Sequence, residues 1–281
     1  LWEIPLQVLV LERAPVERRN QVQSAAGILG SLVMIAATGL CWVLTQHLGL
    51  RAALVLTTFG TLTLLGALGF AWYYRHQATA WVISRVVQFA YRVRVVGGEN
   101  FPAQGGCLVI CNHLSYADGL ILAACLPRPG RFLVYRRYVD MPVIGWLLRA
   151  AGVIPVASED RRNALLASID AAVEAAKAGE VVVIFPEGKL TRGGQMDTFR
   201  GGMERIARRA GVPIVPVHLH GLWGTVASHA RRTQWPRPLR PVDLHIGSPL
   251  PAETPATTAR DHVMHLSYEQ AQARADRDRR T

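Results

Sequence analysis

Two long uncharged stretches dominate the opening of the chain. Residues 24–46 and 52–74 contain no Asp, Glu, Lys or Arg. At about 1.5 Å per residue, each is long enough to cross a hydrocarbon core of roughly 30 Å as a helix. Only His47-Leu48-Gly49-Leu50-Arg51 separates them. The pattern predicts a two-helix transmembrane hairpin within residues 1–75. Gly27, Gly30, Ala36, Ala37, Gly39, Gly60, Gly66 and Gly69 would let these helices pack closely against partners. Trp72, Tyr73 and Tyr74 suit an interfacial belt. Basic residues flank the outer ends, with Arg13, Arg18 and Arg19 before and Arg75, Arg85, Arg92 and Arg94 after, whereas the connector holds Arg51 alone. By the positive-inside tendency both ends are cytoplasmic. The competing reading of the same runs is a buried helical hairpin in a soluble protein.

Residues 76–91 carry Trp81, Val82, Val86, Val87, Phe89 and Tyr91 at helical spacing. They predict an amphipathic linker helix on the membrane surface or on the next domain. From residue 92 short β-type runs alternate with helical stretches. Strands are expected at Tyr91–Val96, Cys107–Cys111, Arg131–Tyr135, Val153–Val156, Val181–Phe185, Pro213–Leu219 and Val242–Ile246. Helices are expected at 117–126, 138–150, 161–178, 201–210 and, briefly, 222–230. This alternation over residues 92–250 indicates an α/β domain with a largely parallel central sheet flanked by helices. Residues 251–281 add a polar helix at 258–275 and a charged tail, Arg274–Thr281, expected to fray.

Composition narrows the partners. Hydrophobic residues make up 50% of the chain and charged residues 18%, with a net charge of +11. Such a balance favours anionic partners: lipid, nucleic acid, or phosphorylated and acidic carriers. Nucleic acid is set aside, because no aromatic–basic interleaving and no known binding motif accompanies the charge. Arg128, Arg131, Arg136, Arg137, Arg161 and Arg162 would face an anionic bilayer or an acidic carrier, or form a merely solvated basic surface. Cys41, Cys107, Cys111 and Cys125 lack metal-type spacing and read as small buried residues, with nothing that asks for an oxidising compartment.

Candidate chemistry gathers after two buried runs. Cys107–Cys111 leads into Asn112-His113-Leu114-Ser115-Tyr116-Ala117-Asp118, and Val181–Phe185 leads into Pro186-Glu187-Gly188. Two strands that deliver polar residues at their C-terminal ends suggest one crevice. Five residues of unbroken helix rotate about 500°, so His113 and Asp118 meet only if the chain turns between them. Ser115-x-x-Asp118 has the form of a capping box, which would start a helix near Tyr116 with Asp118 in its first turn and His113 in the preceding loop. Asp118 would then accept a bond from one imidazole nitrogen and leave the other to take a proton. The plainer alternative is a helix-capping Asp118 and a loop histidine. In Phe185-Pro186-Glu187-Gly188-Lys189-Leu190-Thr191-Arg192, Pro186 keeps Phe185 extended, Gly188 permits a sharp turn, and Lys189, Arg192 and Arg200 add positive charge. That loop would hold a phosphate or position a hydroxyl, or be a solvated turn. No Gly-x-Ser-x-Gly elbow, His-Glu-x-x-His or complete phosphate-binding loop competes. The base is therefore expected to activate a hydroxyl of a bound substrate.

Asn112, His113 and Asp118 together with Phe185–Gly188 resemble the glycerophosphate acyltransferase superfamily, with its Asn-His-x-x-x-x-Asp and Phe-Pro-Glu-Gly motifs. Gly145–Val156 looks like the second motif and Val212–Val217 like the fourth. The resemblance covers about residues 85–250. It implies that His113 deprotonates the acceptor hydroxyl, which attacks an acyl thioester, and that Asp118 orients His113. It further implies that Asn112, Phe185, Pro186, Glu187, Gly188, Thr191, Arg192 and Arg200 bind substrate. One departure stands out: many lysophosphatidate acyltransferases carry an arginine after the second-motif strand, whereas here Ala157-Ser158-Glu159-Asp160 precedes Arg161 and Arg162.

Residues 183–206, Gly221-Leu222-Trp223-Gly224 and the front of the chain are similar to bacterial fusion proteins. Those proteins join a major-facilitator lysophospholipid transporter, an acyltransferase and an acyl-ACP synthetase. The chain, which begins at Leu1, is on that reading a middle piece: the last two transporter helices, then an acyltransferase domain. The resemblance implies acyl transfer from acyl-ACP or acyl-CoA to the free glycerol hydroxyl of lysophosphatidate or lysophosphatidylethanolamine. It implies a multi-pass protein of the bacterial inner membrane, acyltransferase domain facing the cytoplasm, whose partners are the phospholipid bilayer, the lysophospholipid and the acyl carrier. No metal or prosthetic group is called for, the acyl thioester being a co-substrate. The alternative within this resemblance is a transporter module with an inactive acyltransferase domain.

Overall fold

The computed structural model describes residues 19–47, 49, 51–73, 85, 87, 89–156, 162–225, 227–230 and 240–279. The chain divides after Trp72 into two compact units. The first holds helices α1 (Arg19–Gln46) and α2 (Ala52–Tyr73), with Gly49 left-handed at φ 59° between them. Their hydroxyls are bonded within their own helix: Ser31 to the Gly27 carbonyl, Thr38 to Met34, Thr58 to Leu54 and Thr63 to Phe59. A hydroxyl so satisfied exposes little unpaired polarity, which suits a helix among lipid tails. Among the described residues one helix, Asn20–Gln46, is long and apolar enough to cross a membrane, and the apolar part of α2 is the shorter Ala53–Gly69. The expected hairpin is thus supported in its first helix more than in its second. No atom lies within 4 Å of a side chain built on Gly27, Gly30, Gly39, Gly60, Gly66 or Gly69, so their close approach is not used among the described residues. Most of the expected linker helix over 76–91 lies outside the described residues.

The second unit is built on seven strands: β1 (Tyr91–Val96), β2 (Cys107–Cys111), β3 (Gly130–Tyr135), β4 (Ile154–Val156), β5 (Val181–Ile184), β6 (Ile214–His220) and β7 (Arg240–Ile246). Their order is β1-β7-β6-β2-β5-β3-β4, and every neighbouring pair is parallel except β6 with β7. The helices are α3 (Asp118–Cys125), α4 (Arg136–Val139), α5 (Pro142–Ala150), α6 (Arg162–Lys177), α7 (Gly202–Ala210) and α8 (Ala256–Asp278). Apolar strands have helices on both faces because successive side chains alternate sides. Leu108 and Ile110 of β2 join a cluster with Val173 and Ala176 of α6, Met203 and Ile206 of α7 and Val263 of α8. Cys107, Val109 and Cys111 point the other way, into a cluster with Ile121 and Leu122 of α3 and Leu244 of β7. Full burial of each such side chain contributes roughly 1.5–3 kcal/mol, which fixes the central strands.

Three expectations need correction. The helix expected over 138–150 is two helices, α4 and α5, because Pro142 forces Met141 into an extended conformation (φ −71°, ψ 141°). The short helix expected over 222–230 is a series of turns and a bridge in the described residues, since Gly221 and Gly224 stand at φ 104° and 85°. The tail expected to fray is helical through Asp278, with Arg274 Nε held 2.9 Å from Asp243 Oδ2.

Candidate active site

Strands β2 and β5 lie side by side in parallel register, Ile110 opposite Ile184. The loops that follow them therefore emerge at one end of the sheet and meet. The first loop is fastened at its root by Asn112, which is buried. Its Nδ2 donates to the Leu219 carbonyl at 2.9 Å, and its Oδ1 accepts from the Leu219 amide at 2.8 Å. The side-chain amide takes over where the β2–β6 ladder stops at Cys111–Val217.

His113 follows. Its Nδ1 is 2.9 Å from Asp118 Oδ2, which also accepts from the amides of Leu114 (2.6 Å) and Ser115 (2.8 Å). A carboxylate that takes two backbone N–H groups is an acceptor, so Nδ1 carries the imidazole proton and Nε2 keeps its lone pair. Nε2 has no protein hydrogen-bond partner among the described residues, and the His113 side chain is 19% exposed. Asp118 is fully buried; burial pushes its carboxyl pKa up, against the pull of His113, Ser115 and Leu114. Its Oδ1 is buried without a hydrogen bond. The capping box is half formed: Asp118 reaches back to the Ser115 amide, while Ser115 Oγ accepts from Ala117 and helix α3 starts at Asp118.

The second loop holds the first from the other side. The ring of Phe185 stacks on His113 at 4.0 Å between centroids and 12° between planes. Glu187 is buried and uses both oxygens on main chain: Oε1 accepts from the His113 amide at 2.8 Å and Oε2 from the Asp197 amide at 2.9 Å. Burial pushes its pKa up, and those two bonds pull it down. Thr191 donates its amide to the His113 carbonyl at 3.0 Å, and its hydroxyl to the Gln195 carbonyl at 2.7 Å. The backbone of His113 is thus gripped at both N–H and C=O by one loop.

Pro186 is buried, and its carbonyl accepts from the Arg200 amide at 2.9 Å. Gly188 turns at φ 67° with the Arg200 guanidinium lying over it, so close that a Cβ there would stand 2.9 Å from Arg200 Nε. Arg200 and Arg192 are both exposed. Lys189 is paired with Asp197 at 2.8 Å, which lowers the Asp197 pKa.

All ten sequence-identified site residues therefore fall in or beside the two loops. Asn112, Glu187 and Thr191 spend their polar atoms on main chain. His113 Nε2 and the guanidinium groups of Arg192 and Arg200 remain toward solvent. Sequence reasoning missed the aromatic rim. Tyr116 meets Tyr138 edge-on at 6.0 Å and His229 at 5.8 Å, and its amide bonds the Ala227 carbonyl at 3.0 Å. No periodic signal marks these contacts, which join residues from two loops and from helix α4. A cavity of about 580 Å³ between α6 and α7 contains none of the ten residues, and we assign it no part in this chemistry. Among the described residues, no group of three or more His, Cys, Asp or Glu is arranged to hold a metal ion.

Residues 92–220 match the family model described as Acyltransferase. A chloroplastic 1-acyl-sn-glycerol-3-phosphate acyltransferase of Brassica napus is 32% identical over 145 residues, covering 51% of this chain and 41% of that protein. A 1-acyl-sn-glycerol-3-phosphate acyltransferase of Borreliella burgdorferi is 30% identical over 129 residues, 46% of this chain and 51% of that protein. The chain thus spans about half or less of the length of these relatives. Among solved structures, the 1-acyl-sn-glycerophosphate acyltransferase PlsC of Thermotoga maritima superposes with a TM-score of 0.58 at 21% identity, over 77% of this chain and 89% of that one, a likeness of fold.

Proposed function

We propose that this chain, whose α/β domain belongs to the glycerophosphate acyltransferase superfamily, moves a fatty acyl group from a thioester donor to the free glycerol hydroxyl of a lysophospholipid. The observation that carries the reading is the His113–Asp118 pair, with Nε2 unbonded among the described residues and the side chain partly exposed. In the proposed reaction Nε2 accepts the hydroxyl proton as the hydroxyl oxygen attacks the thioester carbonyl carbon. Collapse of the tetrahedral adduct breaks the C–S bond, and the departing sulfur takes the proton back from the imidazolium. Asp118 holds the tautomer and stabilises the transient imidazolium. Asn112, Glu187 and Thr191 set the position of His113, and the stacked Phe185 fixes the ring plane.

Arg192 and Arg200 are the groups we assign to the acceptor phosphate, since both are cationic and exposed in the loop that follows β5, Arg200 lying over Gly188. The names of the relatives favour a 1-acylglycerol-3-phosphate acceptor, with lysophosphatidylethanolamine as the competitor. Acyl-ACP and acyl-CoA are the candidate donors. We place the protein in a membrane through α1 and α2 with the α/β domain on the cytoplasmic side. The decisive experiment supplies labelled acyl donor and a panel of lysophospholipids to the purified chain and to His113→Ala, with products read by mass spectrometry. The variant should keep its circular dichroism spectrum and lose transfer by a factor on the order of 10³ or more. Wild-type-like turnover by folded His113→Ala sinks the mechanism.

A further inference from the structure

Helix α5 is amphipathic in an inverted sense: it buries its glycine and exposes its large apolar side chains. Gly145 is buried because any side chain there would collide with the Val139 carbonyl at the end of α4. Arg149 NH1 caps that same carbonyl. These two contacts seat one face of α5 and decide which face turns out. Val143, Trp146 and Leu147, related by three and four residues, share the outward face. Val143 is 80% exposed and Trp146 67%, and Met141, Ile144 and Leu147 are exposed with them. Singly exposed apolar residues need no explanation, but a cluster of four with a tryptophan on one short helix, extended by Met141 at its N-cap, does.

The position of this cluster is informative. Strands β3 and β5 are parallel, so the C-terminal end of β3, which leads into α4 and α5, lies at the same end of the sheet as His113 and Phe185. The two regions touch: Tyr116, three residues after His113, meets Tyr138 of α4, which in turn meets Tyr135 at 5.9 Å. In sequence, Arg136, Arg137 and Arg149 flank the patch against the single acid Asp140, on a chain of net charge +11. Tyrosine and tryptophan rings with arginines around an aliphatic centre are the composition of a surface that sits at the boundary between headgroups and acyl chains.

We propose that the apolar face of α5, with Tyr116 and Tyr138 beside it, is a lipid contact of the α/β domain itself, through which the catalytic end of the sheet rests on an anionic bilayer. This contact is separate from any anchorage by α1 and α2 and does not depend on a reaction at His113. An acceptor held in that leaflet would reach the His113 loop without leaving the lipid.

The test uses the full chain in vesicles of phosphatidylglycerol and phosphatidylcholine. Cys41→Ser and Cys125→Ser remove the accessible thiols and leave the buried Cys107 and Cys111. A fluorophore is then attached at Val143→Cys or, for comparison, at Tyr268→Cys on α8, which is 66% exposed. Doxyl-labelled phospholipid in the same vesicles should quench position 143 several-fold more than position 268, and adding Trp146→Glu to the 143 variant should reduce that difference. Equal quenching at both positions overturns the proposal. A blue-shifted but unquenched fluorophore at 143 overturns it too, because protein, a second copy of this chain or another segment of it, would then cover the face. Quenching without acyl transfer would support the lipid contact and count against the proposed reaction alone.

Discussion

Asp118 uses its two oxygens unequally. Oδ2 takes three donors, from His113 Nδ1 and the amides of Leu114 and Ser115, while Oδ1 is buried with none. Asp118→Asn can therefore keep its oxygen in the crowded position and place its NH2 where Oδ1 stands. The His113 tautomer and the loop survive, at a cost of about 1–3 kcal/mol for the buried unpaired amide. The carboxylate charge that steadies the imidazolium is lost. Turnover at saturating acceptor should fall by a factor on the order of 10²–10⁴ with a small change in melting temperature. A variant as active as the parent would show that Asp118 only caps α3. The pairing of His113 with Asp118 was legible from spacing, given a turn between them. What Asn112, Glu187 and Thr191 do was not, because their partners Leu219 and His113 are set by strand order rather than by local sequence.

At the scale of elements, hydrophobic runs located all seven strands to within a residue or two of their ends. Breaks were read less well. Pro142 already announced the split between α4 and α5, and Gly221 and Gly224 announced turns where a helix was expected. Some constraints had no signature at all. Gly106 enters β2 against the end of α6, and a methyl group there would strike the Ala176 carbonyl. That obstacle is backbone, which cannot swing aside. Neighbouring Gly105, at φ 77°, meets nothing within 4 Å. Gly105→Ala should cost about 1–2 kcal/mol for left-handed backbone alone, whereas Gly106→Ala should cost more than about 3 kcal/mol as overpacking against a fixed wall. Denaturant midpoints of the two variants make the comparison, and equal midpoints would show that α6 shifts to admit the methyl group.

At the scale of the molecule, a largely parallel α/β sheet was legible from strand–helix alternation, but the antiparallel join of β6 to β7 was not. That join pairs His218 with His245 and His220 with Asp243 across the strands. Helix α8 locks onto it: buried Gln270 bonds His218 Nδ1 at 2.6 Å and the Asp243 carbonyl at 2.9 Å, and Arg274 pairs with Asp243. Burial pushes the His218 pKa down to about 4, with His220 and His245 acting in the same direction and Gln270 opposing. Burial also lowers His220. A histidine whose folded pKa lies below its unfolded value near 6.5 contributes stability that is present above pH 6.5 and is lost as the pH falls toward 4. The shift at His218 corresponds to about 3 kcal/mol across that window. His218→Gln keeps a donor for Gln270 and removes the titration. Its melting temperature should fall less than the parent's between pH 7 and pH 4.5, by several degrees at about 2–4 °C per kcal/mol. A residual slope from His220 should remain. Identical pH profiles for variant and parent would mean that α8 does not depend on a neutral His218, and that the contacts of Gln270 and Arg274 with Asp243 hold the lock.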